Sequence, residues 1–71
     1  MQLLGRLREE RKRSRLTQEE LARVSGVNRV TIARLETGTE RAKKETVRKL
    51  ARALKVPPEA LGVEPRESSE P

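Results

Sequence analysis

The segment between residues 17 and 38 carries start and stop signals for two short helices with almost no linker between them. Thr17 and Glu20 have the spacing of a capping box, in which the threonine hydroxyl accepts from the Glu20 amide and the carboxylate reaches back. Gly26 supplies the left-handed conformation that ends such a helix tightly. Asn28 caps the next helix, which Gly38 closes. Only about three residues join these helices, so they must cross in direct contact.

Apolar spacing predicts further helices on both sides of this pair. A helix is predicted over about residues 2–13 and another before the proline pair at 57–58. Pro58 to Leu61 predicts a short fifth helix with proline at its first position. Leu3, Leu4, Leu7 and Arg11 mark the face of the first helix, and Val47, Leu50, Ala51 and Leu54 mark the face of the fourth. Leu21, Ala22 and Val24 are the apolar residues of the second helix.

The sequence therefore predicts an all-α fold, a compact bundle of four to five short helices. Residues 1–63 form one domain, and residues 64–71 have the Pro, Glu and Ser composition of an acidic disordered tail. No strand pattern and no internal repeat is visible.

Charge is unevenly distributed along the chain. Residues 1–62 carry 16 basic and 8 acidic side chains, a net charge of +8, whereas residues 63–71 carry one Arg and three Glu. A basic body concentrates near polyanions, with nucleic acid the leading candidate and anionic membrane the second. Phe, Tyr and Trp are absent, which disfavours the base stacking used to bind single strands and RNA loops. Double-stranded DNA is the favoured partner.

Several function classes are disfavoured by what the composition lacks. Cys, His and Asp are absent, so the usual metal ligands and general bases are largely missing. We expect no enzymatic activity, no metal site and no cofactor. No apolar run approaches the roughly 20 residues that a bilayer requires, and a soluble, cytoplasmic protein without a membrane partner is predicted.

The linked helices have the features of a helix-turn-helix, whose second helix fits the major groove of DNA. Ala22 is small where the helices cross and Gly26 forms the turn, while Val27, Ile32 and Leu35 anchor the second helix. The matching segments are Leu16 to Ala22, Ser25 to Val27, Thr31 to Glu36 with Gly38, Glu45 to Val47 and Leu50 to Val56. On these segments, and over about residues 3–63, the chain resembles the phage repressor and Cro type (XRE-like) of helix-turn-helix regulators, which have a lambda-repressor-like fold.

The resemblance implies a sequence-specific transcriptional regulator, acting as a repressor, with the helix at about residues 28–36 in the major groove. It also implies a homodimer on a pseudo-palindromic operator, for which we expect the dimer surface at 56–63, with Leu61 or Val63 exposed. The implied base-contacting residues are Asn28, Arg29, Val30, Thr31 and Arg34. The implied phosphate-contacting residues are Gln18, Thr39, Arg41, Lys43 and Lys44.

Each of these residues has a simpler interpretation. Arg29 or Arg34 can donate to guanine O6 and N7, and Val30 can pack on a thymine methyl, but any of them can equally face solvent or clamp a phosphate. Asn28 can be only a cap. Gln18 in relatives bonds a phosphate and braces the recognition helix, but a first-turn glutamine can also be simply solvated.

The resemblance also implies an ion pair between Arg11 and Glu36, and the chain departs from the family pattern at three positions. Arg15 stands where relatives commonly have glycine, Ala42 where proline often occurs, and Pro57 where Ser or Asp usually caps the last helix. These departures leave loop conformations open.

Two other functions remain open. The helical body can serve as a protein-interaction adaptor or antitoxin, bound to a toxin or to transcription machinery. A basic amphipathic helix at a membrane surface is a third possibility, but the apolar stripe from Val47 to Leu54 is needed for the core and lacks an aromatic anchor.

Overall fold

Four α-helices and a short 3-10 helix make up the computed structural model, which describes residues 2–63. They are α1 (Leu7–Arg13), α2 (Gln18–Ser25), α3 (Arg29–Thr37), α4 (Lys44–Leu54) and the 3-10 helix Pro58–Leu61. The predicted all-α fold of four to five short helices is confirmed. The predicted acidic tail, 64–71, lies outside the described residues. Within residues 2–63, no helix has both the length and the apolar character needed to cross a membrane.

The caps of α2 and α3 fix both helices where local signals predict them. The Thr17 hydroxyl accepts from the Glu20 amide at 3.0 Å, and the Thr17 amide donates to the Glu20 carboxylate at 2.8 Å. Gly26 ends α2 at φ 77°, a left-handed conformation that disfavours any residue with a Cβ. Asn28 Oδ1 accepts from the Val30 amide at 2.7 Å. Two consecutive helices of eight and nine residues are thereby closed at both ends.

The prediction that the first helix begins near residue 2 is wrong. The α1 helix begins at Leu7, because the residues before it bond to distant parts of the chain. Gln2 and Ala42 exchange two backbone hydrogen bonds of 2.8 and 2.7 Å, and the Arg6 amide donates to the Leu61 carbonyl at 2.9 Å. Helical spacing therefore does not apply to the N-terminal leucines, and Leu3 is 37% exposed.

The core lies where α2 packs against α3 and α4, and the 3-10 helix closes it against α1 and α4. The 3-10 helix seats Leu61 in the core with no exposed surface. Of the two residues expected at a dimer surface, Leu61 is therefore wrong, and Val63 is half-buried. Val24, one of the three apolar residues named for α2, is 60% exposed and lies outside the core. The buried apolar side chains are Leu4, Leu7, Leu21, Val27, Ile32, Leu35, Ala42, Val47, Leu50, Ala51, Leu54 and Leu61.

Two exposed residues that are not glycine adopt left-handed backbone. Within the described part of the chain, these are Arg15 at φ 61° and Lys55 at φ 59°. Lys55 ends α4, and its amide donates to the Arg52 carbonyl at 3.1 Å. Left-handed backbone costs a residue with a Cβ roughly 1 kcal/mol or more. Both positions therefore carry a conformational cost that glycine would avoid.

We expect Lys55→Gly to raise the free energy of unfolding by about 0.5 kcal/mol, because relief of the left-handed conformation outweighs the extra freedom of glycine in the unfolded chain. Urea denaturation followed by far-UV circular dichroism measures the change. Lys55→Ala is the matched control, since it removes the charge but keeps the Cβ. Equal midpoints for the glycine and alanine variants would contradict the assignment of strain to this residue.

Candidate nucleic-acid interface

One side of α3 is anchored in the core and the other is open. Ile32 and Leu35 are 0% and 1% exposed, and they hold the helix against the rest of the domain. The opposite side presents exposed residues of mixed chemistry, including Val30 at 51%. Guanidinium groups beside a bare methyl surface match the guanine acceptors and thymine methyl of the major groove. The exposed side chains on this face are Arg29, Val30, Arg34 and Thr37.

The structure brings three of the five predicted base-contacting residues together on this face and puts two at its margins. Arg29, Val30 and Arg34 share the open side. Asn28 lies just before the helix, where its Oδ1 caps the Val30 amide, so only its amide nitrogen is left to donate outward. Thr31 is half-buried at one edge of α3.

An open cleft of about 820 Å³ separates that edge of α3 from the loop leading to α4. Three predicted phosphate-contacting residues, Thr39, Arg41 and Lys43, line it and are exposed. The Thr39 hydroxyl lies 2.9 Å from the Thr37 hydroxyl, which orients it toward α3. The full lining is Thr31, Thr39, Glu40, Arg41, Ala42, Lys43 and Thr46.

Lys44, also predicted to contact phosphate, does not line this cleft. It is the first residue of α4 and is exposed. Its side chain lines a smaller groove of about 340 Å³ with Arg48 and Val63 among its neighbours. The structure therefore separates Lys44 from Arg41 and Lys43.

A single buried carboxylate joins α1, α2 and α3. Arg11 Nε donates to Glu36 Oε2 at 2.6 Å and Nη2 to Oε1 at 3.2 Å, while Nη1 donates to the Leu16 carbonyl at 2.8 Å. The Glu36 side chain is 3% exposed and that of Arg11 is 11% exposed. The expected Arg11–Glu36 ion pair is confirmed, and its bidentate geometry fixes the orientation of α1 relative to α3.

The fifth predicted phosphate-contacting residue, Gln18, binds the same carboxylate. Its Nε2 donates to Glu36 Oε1 at 3.0 Å, and the carboxylate can only accept, so the amide nitrogen must face it. Gln18 is half-buried at the start of α2 and thereby braces α3. The second N–H of the amide is the group left to donate to a phosphate.

Three acidic side chains of α1 to α3 are engaged within the domain, whereas Glu40, which lines the cleft with Arg41 and Lys43, takes part in no ion pair within residues 2–63. Glu36 is ion-paired, Glu20 closes its capping box, and Glu10 is buried with one oxygen 3.8 Å from Arg13 Nη1. Within residues 2–63, by contrast, the cations of α3 and its following loop have no carboxylate within 4.0 Å. These cations are Arg29, Arg34, Arg41 and Lys43. Unpaired cations attract the phosphates of a duplex and displace their counterions.

Sequence reasoning missed two residues on the open side of α3. Ala33 is half-exposed, one helical turn after Arg29, and Thr37 is exposed one turn further on. Ala33 is four residues after Arg29 and Thr37 is four residues after Ala33, and this helical repeat is the signal that would have identified them. A side chain as small as Ala33 allows close approach of this face to the edges of bases.

Comparison with known proteins identifies the family. A helix-turn-helix family model matches residues 7–61. The chain is 49% identical over 59 residues to the HTH-type transcriptional repressor RghR of Bacillus subtilis (strain 168), a match that covers 82% of this chain. The match covers 42% of that repressor, so this chain corresponds to less than half of its length.

A solved structure with the same fold is that of the restriction-modification controller protein C.AhdI from Aeromonas hydrophila. The TM-score is 0.78 at 37% sequence identity, and the match covers 83% of this chain and 89% of that one. The family match includes α1 to α4 and the 3-10 helix, and the resemblance to phage repressor and Cro type regulators is confirmed. The chain belongs to the helix-turn-helix family.

Proposed function

We propose that this chain binds double-stranded DNA sequence-specifically, with α3 in the major groove, and represses transcription by occupying an operator. The observation that carries the proposal is the division of α3 into a core side, held by Ile32 and Leu35, and an open side of unpaired arginines around an exposed valine. The relatives support it, since one is a transcriptional repressor and the other a controller protein.

Base recognition is assigned to the open side of α3. Arg29 and Arg34 each present a fork of N–H donors suited to guanine O6 and N7, and Val30 presents methyl groups to thymine. Asn28, through its remaining amide hydrogens, and Thr31, through its hydroxyl, are assigned contacts at the N-terminal end of α3. Each well-placed polar pair discriminates against the wrong base by about 1–3 kcal/mol.

Phosphate contacts are assigned to the two sides of α3 and set its register in the groove. Gln18 offers its free amide hydrogen on one side, while Thr39, Arg41 and Lys43 offer a hydroxyl and two cations from the cleft on the other. Lys44 lies outside that cleft and contacts the backbone further along the duplex. Such contacts position the protein without reading sequence.

A homodimer is the assembly that this site needs. The nine residues of α3 extend about 13 Å, which is the length of roughly four base pairs. A pseudo-palindromic operator with half-sites about 34–36 Å apart doubles the sequence that is read. With Leu61 buried, the branched apolar side chains left partly exposed between residues 56 and 63 are Val56 and Val63, and we assign them to the dimer surface.

Selection from a random duplex library at about 0.15 M salt, followed by sequencing of the bound pool, tests the function. We expect an enriched pseudo-palindromic motif. Neutralising about six to ten phosphates also predicts a slope of log affinity on log salt of roughly −5 to −9. A pool without enrichment at any salt concentration would contradict sequence-specific binding and favour a protein partner.

Two alanine variants distinguish a residue that contacts bases from one that contacts phosphates. We expect Arg29→Ala to weaken the preferred duplex by about 10- to 100-fold and to relax specificity at one base position. Lys43→Ala should weaken all duplexes alike and reduce the salt slope by about 1 for each bound protomer. Fluorescence anisotropy with labelled duplexes measures both, and Lys49→Ala, on the exposed side of α4, is the control. Equal loss on every duplex for Arg29→Ala would reassign Arg29 to phosphate contact.

A further inference from the structure

Arg15 has left-handed backbone in the turn between α1 and α2, and the turn does not need an arginine at this position. The turn between α1 and α2 is closed by main-chain bonds, from the Arg15 amide to the Lys12 carbonyl at 2.9 Å and from the Leu16 amide to the Arg11 carbonyl at 3.2 Å. Glycine would make the same bonds without the cost of a Cβ at φ 61°. The turn therefore does not explain the arginine.

Contacts within the domain do not explain the arginine at position 15 either. Arg15 is exposed, and within residues 2–63 its guanidinium takes part in none of the side-chain hydrogen bonds or ion pairs. A strained residue with no internal contact is a candidate for a role outside the domain. Lys55 has the same left-handed backbone and the same exposure, so the position of Arg15 in the fold is what distinguishes the two.

The position of Arg15 relative to α3 follows from the buried network. Arg11 binds the Leu16 carbonyl and Glu36, and Gln18 binds the same carboxylate. The turn that carries Arg15 is thereby fixed beside the edge of α3 that contains Glu36.

The cleft lined by Arg41 and Lys43 lies at the other edge of α3. Thr31, which lines the cleft, and Glu36 are five positions apart, or about 140° around a helix. They lie on either side of the buried Ile32 and Leu35, so they bracket the open face of α3 from its two sides.

We propose that Arg15 contacts a DNA phosphate on the side of α3 opposite the cleft of Arg41 and Lys43, and that the chain carries arginine at a left-handed position for this contact. The proposal rests on the proposed placement of α3 in the major groove. A guanidinium is always charged and presents a planar fork of donors that matches phosphate geometry. Because the contact is to the backbone, it strengthens binding to every duplex alike.

Arg15→Gly should move stability and DNA binding in opposite directions. Relief of strain should raise the urea midpoint, as for Lys55→Gly. Loss of one phosphate contact per protomer should make the salt slope less steep by about 0.9 for each bound protomer and, at 0.15 M salt, weaken all duplexes by about fivefold per protomer. Arg15→Lys should keep most of the salt slope.

Two controls isolate the contact. Lys55→Gly relieves the same conformation away from this turn and should raise stability without changing the slope. Lys12→Ala removes one exposed charge from the outer face of α1 and should change the slope much less than Arg15→Gly. Unchanged affinity and slope for Arg15→Gly, with selective binding by the parent, would overturn the Arg15 contact alone. A parent protein that selects no duplex would overturn the placement of α3, and with it this contact.

Discussion

Replacing Arg11 by methionine is expected to lower the free energy of unfolding by about 3–5 kcal/mol. The substitution leaves the Glu36 carboxylate, 3% exposed, buried with Gln18 as its remaining donor, and it removes the donor to the Leu16 carbonyl. An uncompensated buried charge is costly because water no longer solvates it. The chain contains no Trp or Tyr, so unfolding should be followed by far-UV circular dichroism in urea.

A double variant separates the cost of an orphaned charge from the value of the pair itself. Arg11→Met with Glu36→Leu removes both members of the pair, so neither charge is left buried without the other, and we expect it to recover most of the stability lost by the single variant. Arg8→Met is the matched control, since Arg8 is exposed on the same helix, and it should stay within about 0.5 kcal/mol of the parent. A double variant as unstable as Arg11→Met would mean that the ion pair itself stabilises the fold.

The bounds of α2 and α3 were predictable from sequence because the signals that set them are local. The hydroxyl of Thr17 acts on an amide three residues away, and glycine at position 26 or 38 stops a helix through its own backbone. The start of α1 was not predictable in this way. It depends on pairing between Gln2 and Ala42, two residues far apart in sequence that no local pattern connects.

The same distinction applies to the candidate site. The family resemblance implied Arg29, Val30 and Arg34 as base-contacting residues, and all three lie on the open side of α3. It also implied a phosphate contact for Lys44, but it did not predict that Lys44 lines a groove separate from the cleft of Arg41 and Lys43. The pairing of Arg11 with Glu36 spans 25 residues and came only from family resemblance. Departure from the family pattern was informative at Arg15, where the structure keeps the left-handed conformation expected of glycine.

Ile32→Ala is expected to lower the free energy of unfolding by about 2–5 kcal/mol, because the cavity it leaves in the core cannot be fully closed. Ile32 has no exposed surface, and it is one of the two buried residues of α3. Val30→Ala is the matched control on the same helix. Val30 is 51% exposed, so its truncation should change stability by less than about 0.5 kcal/mol while reducing the preference for thymine at one base position.

Thermal denaturation with and without the selected duplex distinguishes anchoring of α3 from contact with DNA. A duplex at 100 times the parent's Kd stabilises the parent by about 2.7 kcal/mol, and the same duplex concentration should stabilise Ile32→Ala equally if its Kd is unchanged. An Ile32→Ala protein that is still folded but whose Kd rises alike on all duplexes would contradict this separation. It would mean that the residue under α3 sets the position of the helix in the groove as well as its stability. Val30 and Ile32 lie two positions apart in α3, so the same short helix packs on the core through Ile32 and contacts base edges through Val30. A shift of the helix would lose both contacts at once.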